Sequence, residues 1–335
     1  IMDQVEWIEV EENMLKFRQL IVGPFGRCGY SYVEADPVSY APMKARWGIV
    51  QVGETEATHS AGEAKVRLVS TGNEQTVTWT GDAYENSQVS QLCRLVEWQK
   101  GKGLDFPIVS PVGAGLMKIN FSPAKKETLE TAAGKFETWR TNLSIGQSIW
   151  FATEGKRPMV KFEAAGMIGE LAKVETIEPG KPRDYNMSDW GFSCTMPADW
   201  FLLPRNEKEG MAEFIFAAPI FEFGGSLKVA ELEKTEEKWD SLDAFVTSRV
   251  ESRTEHMTKY AEKESERQKL KISGHDAVLA TQDFDLQGKG RALFTAWVLT
   301  PTHTFEVNTS AVEEQTADAK RYLEDFVKTL KFSKP

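Results

Sequence analysis

The order of predicted elements after Asp189 limits what this chain can fold into more than any other feature. An aromatic strand at residues 192–200 is followed by a strand at 227–232 and by an amphipathic helix that begins near Ser241. Three further strands and a helix ending at 326–332 complete the order. Strands joined by short turns pair antiparallel, and apolar helix faces must be buried against them. The sequence therefore predicts one antiparallel sheet sandwiched between helices.

The first of these helices has a start signal at Asp240, whose carboxylate can accept hydrogen bonds from free amides at a helix start. Leu242, Phe245, Val246 and Val250 follow at helical spacing and form its predicted packing face. We therefore expect this helix to lie with that face on the sheet.

The C-terminal helix is predicted from Ser310 and Glu313, which have the spacing of a capping box. Its apolar stripe consists of Ala319, Leu323, Phe326, Val327 and Leu330. Between the two helices, strands are predicted at 276–284, 291–299 and 302–310, and the first two surround a loop at 285–290.

The half of the chain before residue 176 is predicted to be mainly β, because it consists of short alternating runs separated by Gly, Pro, Asn and Ser. Its clearest strands lie at 65–70, 75–80, 136–143, 148–152, 159–162 and 167–174. Candidate inward residues of the first hairpin are Val66, Leu68, Val77 and Trp79. Residues 82–91 are polar and fit either a helical turn or a loop.

The length of 335 residues fits two domains. Residues 176–189 contain two prolines and a glycine and can continue neither a central strand nor a helix. We therefore predict a β-rich N-terminal domain at 1–175, a linker at 176–189 and a second domain at 190–335. The fold class is α+β, with an antiparallel β domain followed by an α/β/α sandwich.

The charge of the chain excludes one class of partner. A formal net charge of −10 repels nucleic acid, and no strongly basic run offsets it. An apolar fraction of 41% is typical of a globular protein. No stretch approaches the roughly 20 apolar residues of a membrane-spanning helix, so we expect a soluble chain. The first residue is Ile1 rather than Met, which suggests a processed or trimmed chain, so an export or lipid-attachment signal could have been removed.

No metal or cofactor site is predicted. Residues 283–288 imitate the first half of a calcium loop, but Phe294 stands where that loop needs its bidentate Glu, so we interpret them as a hairpin turn. The histidines are His59, His256, His275 and His303. No pair of them has the spacing that aims two imidazoles at one metal from a helix, and we interpret them as surface or packing residues.

Nucleophilic chemistry has one weak candidate. The cysteines, Cys28, Cys93 and Cys194, are too far apart in sequence for a zinc cage or a disulfide framework, and we expect buried free thiols. Only Cys28, between Arg27 and Gly29, has neighbours that could stabilise a thiolate. The serine at 193 lacks the flanking glycines of a nucleophile elbow. No catalytic residue is therefore predicted, and the ligand-binding residues stay unknown.

The chain contains ten tryptophans, and the β-rich half includes Trp47, Trp79, Trp98, Trp139 and Trp150. Exposed indoles would stack on sugar rings or line an apolar cleft. Strands also favour aromatic residues and bury them, and we favour this interpretation. The charged run at 262–271 is interpreted as a solvated helix end and an edge strand.

Residues 189–335 resemble the PsbP-like family, whose fold is shared with a small Ran-binding nuclear import factor. The likeness lies in Phe192 followed by Pro197 and Trp200, in the run from Ser241 to Phe245, in residues 272–277, and in the aromatic ending at 326–332. The resemblance implies a PsbP-like α/β/α sandwich. It implies no particular function, because members of this family serve unrelated roles.

Residues 127–175 resemble a bacterial envelope β-domain of unknown function. The likeness consists of the Ala-Gly-Lys-Phe segment at 133–136 and the Trp-containing segment at 150–158 that ends in Pro. This resemblance implies an extracytoplasmic location, periplasmic or lipid-anchored at the envelope.

We therefore expect a non-enzymatic, exported accessory or binding protein, whose partner is another envelope protein or a small ligand. The alternative is a hydrolase that acts on a glycan or peptide through carboxylates that folding brings together. An exposed Trp beside two carboxyl groups about 5 to 10 Å apart would favour the hydrolase.

Overall fold

The computed structural model describes residues 3–23, 27–49, 53–98, 101–110, 114–235 and 238–333. The chain divides into two compact units. The N-terminal unit consists of Glu6–Gln19 and Ser31–Glu178. The C-terminal unit consists of Pro179–Pro335 together with Ile1–Val5 and Leu20–Tyr30. The domain limits predicted above stay a prediction.

The first sheet follows chain order. Its strands are β1 (Asp3–Glu11), β2 (Met14–Val22), β3 (Cys28–Ala35), β4 (Pro42–Ile49), β5 (Gly53–Ser60), β6 (Glu63–Leu68) and β7 (Glu74–Thr78). The predicted hairpin at 65–80 corresponds to β6 and β7, which pair antiparallel. Val66 and Val77 are buried, whereas Leu68 and Trp79 are half-buried. The period of two in the sequence therefore located both the strands and their inward face.

The second sheet lies wholly in the N-terminal unit. Its strands are β8 (Tyr84–Glu85), β9 (Leu104–Ser110), β10 (Gly115–Phe121), β11 (Lys125–Thr131), β12 (Gly134–Leu143), β13 (Gln147–Ala152), β14 (Met159–Ala164) and β15 (Met167–Glu170). Their order is β15-β14-β13-β12-β10-β9-β8, and β11 pairs with β12. The strand predicted at 167–174 ends four residues early, and residues 82–91 hold β8, a 3₁₀ turn at Asn86–Gln88 and the start of helix α1 (Val89–Leu92).

One apolar core serves the N-terminal unit. Phe17 and Val66 come from the first sheet, and Phe106, Ile108 and Phe151 come from the second. These side chains are all buried. Burial of such apolar area is the main stabilising contribution to a β unit of this kind.

The C-terminal unit has a small and a large sheet. The small sheet contains β16 (Arg183–Met187), β17 (Phe192–Met196) and β26 (Lys331–Phe332). The large sheet contains β18 (Phe201–Lys208), β19 (Met211–Ala217), β20 (Gly224–Glu231), β21 (Ala261–Glu262), β22 (Gln268–Ile272), β23 (His275–Leu286), β24 (Lys289–Leu299) and β25 (His303–Ala311). Its order is β18-β19-β20-β25-β24-β23-β21, and β22 pairs with β23.

Two helices pack on opposite faces of the large sheet. Helix α2 (Leu242–His256) packs Phe245 and Val246 against Trp297 of β24. Helix α3 (Thr316–Thr329) lies on the other face, where Phe326 contacts Phe216. The face of each strand residue follows from the pairing register, because successive side chains point to opposite sides.

The predicted apolar faces of both helices are confirmed. All five stripe residues of the C-terminal helix are buried, and Leu242 and Val250 pack beside the buried pair of α2.

The predicted start of α2 near Ser241 is confirmed, but its predicted cap residue is wrong, and so is the predicted start of α3. The cap of α2 is Ser241, whose hydroxyl accepts from the amide of Ala244, rather than Asp240. Ser310 lies inside β25, so the capping box with Glu313 does not form, and α3 begins at Thr316 without a side-chain cap. At α2 the hydroxyl of Ser241 makes the cap that was predicted for Asp240. At α3 the predicted cap does not form because Ser310 is paired within the sheet.

A segment from the beginning of the chain is fixed in the C-terminal unit. The amide of Cys28 donates to the carbonyl of Phe223 at 2.8 Å. Arg27 Nε and Arg291 Nη1 each lie 3.1 Å from Oε2 of the buried Glu222. This buried ion triad joins residues 195 positions apart in sequence.

The sheets are mostly antiparallel, as predicted, and only β8 and β9 among the described strands pair in parallel, but the class α+β is not confirmed. Among the described residues, 56% lie in strands and 14% in helices, so the protein is mainly β. Most apolar runs of the N-terminal half form strands, and α1 is the exception, which sets this balance. Among the described residues, no helix has the length and apolar composition needed to cross a membrane.

Candidate functional site

An open cleft of about 480 Å³ lies in the C-terminal unit, beside α2 and over β18, β19, β20 and β25. Its volume falls in the range of small-molecule sites, roughly 300 to 1,000 Å³. We call it the α2 cleft. Its charged lining residues are Lys208, Glu213, Lys228, Arg249, Arg253 and Glu306.

The floor of the α2 cleft is formed by two rows of residues that cross the paired strands. Directly paired residues of neighbouring strands project to the same face of the sheet. The inner row runs through Asn206, Glu213, Lys228 and Glu306. The outer row runs through Lys208, Met211, Ala230 and Thr304. The inner row is therefore polar and charged, and the outer row is apolar apart from its two ends.

The wall is one face of α2. Phe245, Arg249, Ser252 and Arg253 line the cleft. Their spacing of four, three and one residues places them on a single helix face. Arg249 lies over the rings of Trp239 and Phe245, with its guanidinium carbon 6.0 and 5.2 Å from the ring centres. These stacking contacts hold one positive charge at the wall.

Glu306 is held by a hydrogen-bonded network. Its Oε1 accepts from Arg253 Nη2 at 2.9 Å and from Asn308 Nδ2 at 3.1 Å. Its Oε2 accepts from Trp297 Nε1 at 3.1 Å. Arg253 also donates to Thr295 at 2.8 Å and to the side-chain oxygen of Asn308 at 2.7 Å. The carboxylate and the guanidinium are thereby fixed in one arrangement.

The ionisation of Glu306 follows from this network. Burial opposes the charged form, but the positive charges of Arg253 and Lys228 and the hydrogen bonds from Asn308 and Trp297 outweigh it, and the pKa falls to about 2. Glu306 is therefore an anion at every physiological pH.

The second carboxylate of the cleft is also engaged. Glu213 Oε2 accepts from Asn206 Nδ2 at 2.9 Å, and Lys228 Nζ lies 3.9 Å from Glu213 Oε1. Lys228 stands between Glu213 and Glu306 in the inner row. Each carboxylate of the cleft thus has a basic neighbour.

These two carboxylates are the pair that the hydrolase alternative requires. They lie two strands apart, which places their backbones roughly 10 Å from each other. Glycoside hydrolysis needs one of the two carboxyl groups to be protonated as the general acid, and such groups have raised pKa values. The pKa of Glu306 is lowered instead, and a lysine lies between the two. The geometry suits the binding of a charged group better than acid catalysis.

Cys28 lies outside the α2 cleft and is packed rather than reactive. It is fully buried, and its Sγ donates to the carbonyl of Phe216 at 3.3 Å. Burial raises its pKa to about 12 despite the opposing effects of a backbone hydrogen bond and the charge of Arg205. The thiolate suggested by its neighbours in sequence therefore does not form at neutral pH. Cys93 and Cys194 are also buried free thiols, as predicted.

None of the four histidines lines the cleft, although His256 Nδ1 lies 2.7 Å from the carbonyl oxygen of Ser252, which does. His59 is buried in β5, where burial lowers its pKa to about 4. His256 is the last residue of α2, His275 begins β23, and His303 begins β25. Among the residues that the structure describes, no group of three or more His, Cys, Asp or Glu side chains could hold a metal ion.

The calcium-like segment is a two-residue hairpin turn. Gln287 and Gly288 have φ values of 56° and 82°, and the Asp285 carboxylate accepts from the amide of Gly288 at 2.7 Å. A turn with two positive φ values joins β23 to β24, so the strands extend further than the predicted loop at 285–290 allowed. Phe294 is buried in β24.

The tryptophans of the β-rich half are mostly in the core. Trp47, Trp98 and Trp150 are buried, and Trp79 and Trp139 are partly buried against the core cluster. The lining of the α2 cleft includes no tryptophan. The interpretation that strands bury their aromatic residues is therefore the better one for this unit.

The charged run at 262–271 begins at the last residue of β21 and includes most of the edge strand β22, so the predicted edge strand is present. The predicted helix end is not, because α2 ends at His256. Arg267 donates to both carboxylate oxygens of Glu262 at 2.7 Å. This bidentate pair lies away from the α2 cleft.

The sequence did not point to the α2 cleft, although two signals were present. Arg253 follows Leu242, Phe245, Val246 and Val250 on the apolar face of its helix, where a charge needs a buried partner. Glu306 lies between Phe305 and Val307 within a predicted strand, on the opposite face from those apolar residues. Only the packing of α2 on the sheet brings these two charges together.

No family model matches this chain. No curated protein matches it either. Solved structures do match about half of it. Cyanobacterial PsbP from Synechocystis sp. PCC 6803 covers 48% of this chain and 98% of its own, with 11% identity and a TM-score of 0.37.

Two further matches have similar values. LpqN, involved in cell envelope biogenesis of Mycobacterium tuberculosis, has 14% identity and a TM-score of 0.34 over 46% of this chain and 91% of its own. PA94, a protein of unknown function from Pseudomonas aeruginosa, has 13% identity and a TM-score of 0.32 over 47% of this chain and 99% of its own. The predicted resemblance to PsbP-like proteins is thus confirmed as a distant likeness, and it carries no argument about activity.

Proposed function

We propose that this protein is a non-enzymatic binding protein of the exported, envelope-associated kind, and that it binds its ligand in the α2 cleft. The observation that carries the proposal is the state of the two cleft carboxylates. Both are engaged in ion pairs or hydrogen bonds, and the pKa of Glu306 is lowered, so the cleft offers a fixed charge pattern rather than an acid and a base.

The extracytoplasmic location is part of this proposal. It rests on the resemblance of residues 127–175 to envelope domains. The assignment of the C-terminal unit as a PsbP-like α/β/α sandwich is also proposed, and the helices on opposite faces of the large sheet support it.

The test blocks the cleft without touching its charges. Ser252 is exposed and lines the cleft, whereas Thr247 is exposed on the same helix and does not line it. We expect Ser252→Trp to fill the cleft and Thr247→Trp to leave it open. The wild type and both variants are incubated with the small-molecule filtrate of an envelope extract and desalted. Native mass spectrometry then measures the mass of each protein with anything bound to it.

The expected result is a bound mass on the wild type and on Thr247→Trp that is missing from Ser252→Trp. A bound mass that persists in Ser252→Trp would place the ligand elsewhere. The absence of any bound mass from the wild type would contradict small-ligand binding. Turnover in a broad hydrolase screen, lost in Ser252→Trp, would favour the hydrolase alternative instead.

A further inference from the structure

Four segments of the chain have the acceptor motif for asparagine-linked glycosylation, which is Asn-x-Ser/Thr with any residue except Pro in the middle. Their asparagines are Asn120, Asn142, Asn186 and Asn308. A transferase must reach both the side-chain amide and the hydroxyl two residues later, so an acceptor has to lie on the surface. The fold therefore decides which of the four motifs can take a glycan.

The motif at Asn308 lies inside the fold. Asn308 is part of β25, which pairs with β20 on one side and with β24 on the other. Its Nδ2 donates to Glu306 Oε1 at 3.1 Å, and its Oδ1 accepts from Arg253 at 2.7 Å. Both polar atoms of this amide are thus already used.

The motifs at Asn120 and Asn142 are exposed, but their polar groups are engaged. Asn120 Nδ2 donates to the Asp105 carboxylate at 2.5 Å, and Asn142 Oδ1 accepts from the Ser148 hydroxyl at 2.8 Å. The hydroxyl of Ser144, two residues after Asn142, accepts from the backbone amide of Asn120 at 3.1 Å. A transferase would have to break these contacts to use either motif.

The motif at Asn186 has free polar groups. Asn186 is an exposed residue of β16, which is an edge strand of the small sheet. Ser188 is also exposed and begins a 3₁₀ turn. Among the residues that the structure describes, neither the Asn186 amide nor the Ser188 hydroxyl has a hydrogen-bond partner. This motif therefore presents both of its reactive groups to solvent unengaged.

A carboxylate lies on the same face of β16. Asp184 precedes Asn186 by two residues, and in a strand this spacing places both side chains on one side. Asp184 is exposed, and its Oδ1 accepts from the Thr195 hydroxyl at 2.6 Å, which holds it in place. An anion, an amide and a hydroxyl thus stand in a row, and a transferase with a basic side chain can recognise the anion by a charge-assisted hydrogen bond.

We propose that Asn186 is a glycan attachment site. This inference rests on the extracytoplasmic location in the proposed function, because exported chains meet lipid-linked glycans on that side of the membrane. The donor is an oligosaccharide joined to a polyprenyl diphosphate. The amide nitrogen of Asn186 forms a bond to C1 of the first sugar and gives one proton to a base of the transferase. The bond between C1 and the diphosphate oxygen breaks, and the polyprenyl diphosphate leaves with the electron pair.

The glycan would have a physical effect at this place. The outer edge of β16 has no neighbouring strand among the described residues, and such edges pair with other chains. A bulky hydrophilic group on the edge strand opposes that association. Asn186 does not line the α2 cleft, so the glycan would leave ligand binding unaffected.

The test offers the purified full chain to a bacterial oligosaccharyltransferase and its lipid-linked oligosaccharide. We expect the mass under denaturing conditions to rise by one glycan, which should lie on the tryptic peptide 184–205. The same peptide should be modified in the chain isolated from the envelope of its own cells. A ligand of the α2 cleft is lost on denaturation, so this readout is independent of ligand binding.

Point variants identify the groups that act. Asn186→Gln removes the nucleophile and Ser188→Ala removes the hydroxyl, and each should abolish transfer. Asp184→Asn keeps the size of the side chain and should slow transfer at least about tenfold, because a hydrogen bond to a charged group is lost. Asn142→Gln makes the control change at another exposed motif and should leave transfer unchanged. Circular dichroism verifies that all four variants fold.

A peptide separates the effect of the fold from that of the sequence. A synthetic peptide of residues 303–312 contains the Asn308 motif without its sheet. It should accept the glycan, whereas Asn308 in the folded chain should not.

Several outcomes would overturn the inference. They are no mass increase, transfer that survives Asn186→Gln, a glycan on another motif of the folded chain, rejection of the peptide, and an unmodified peptide 184–205 in the chain from its own cells. A chain that takes up the glycan but shows no bound mass in the native experiment would contradict the proposed binding function alone. A bound mass without any glycan would contradict this inference alone.

Discussion

Replacement of Glu306 by Gln should destabilise the protein in a strongly pH-dependent way. The pKa of this carboxyl falls from its ordinary value of 4.5 to about 2 in the folded protein. A shift of that size corresponds to roughly 3 kcal/mol of folding free energy when the group is ionised in both states. Glu306 is buried, so solvent screening reduces this contribution little.

The direction of the pH dependence follows from the lowered pKa. The stabilisation is fully present above pH 4.5 and is lost as the pH falls toward 2, because the unfolded chain takes up a proton that the folded protein resists. We therefore expect Glu306→Gln to cost roughly 3 kcal/mol at pH 7. The difference from the wild type should shrink steadily below pH 4.5.

Urea denaturation at a series of pH values between 7 and 3 measures this difference. Glu251→Gln serves as the control, because Glu251 is an exposed residue of α2 and its replacement should change stability little at any pH. A difference between wild type and Glu306→Gln that is the same at pH 7 and pH 3 would refute the reasoning. So would a cost at pH 7 that matches the control.

Three other predictions follow from the structure. Burial raises the pKa of Cys28 and of Cys194 to about 12 and also raises the pKa of Cys93. A thiol reagent should therefore modify none of the three cysteines in the native protein at pH 8 and all three in urea. Rapid labelling of the native protein would show that a thiol is accessible. Trp200 packs against Phe223 and Tyr322 with ring centres 5.1 and 4.8 Å away, so Trp200→Ala should cost roughly 3 to 5 kcal/mol in urea denaturation, and an unchanged midpoint would contradict this core role. Limited proteolysis should cut first within residues 176–182, which precede β16. Fragment masses that place the first cut inside a sheet would contradict a linker at these residues.

The strands were predictable from sequence where one face is buried. Val66 and Val77 alternate with polar residues, and this period is enough to specify both a strand and its inward side. The helix start at Ser310 was not predictable in this way. A capping box spans only four residues, and pairing of β25 with two neighbouring strands outweighs it.

The α2 cleft was not predictable because its chemistry comes from register. Lys228 meets Glu213 on one side and Glu306 on the other, over sequence separations set by long connections. A shift of one residue in either pairing would turn these side chains to the opposite face. Nothing in a single sequence reports that register, whereas the apolar stripe of α3 depends only on local spacing.

The ion triad of Arg27, Glu222 and Arg291 has a consequence for how the protein is made. Arg27 leaves the ribosome long before Glu222 and Arg291 are synthesised. The triad therefore cannot form until most of the C-terminal unit has been translated. Closing a loop of 195 residues costs roughly 2.6 kcal/mol more than closing one of ten. Folding of this unit therefore depends on an N-terminal segment that stays available until late in synthesis, and a fragment beginning at Pro179 would expose Glu222 and Arg291 without their third partner.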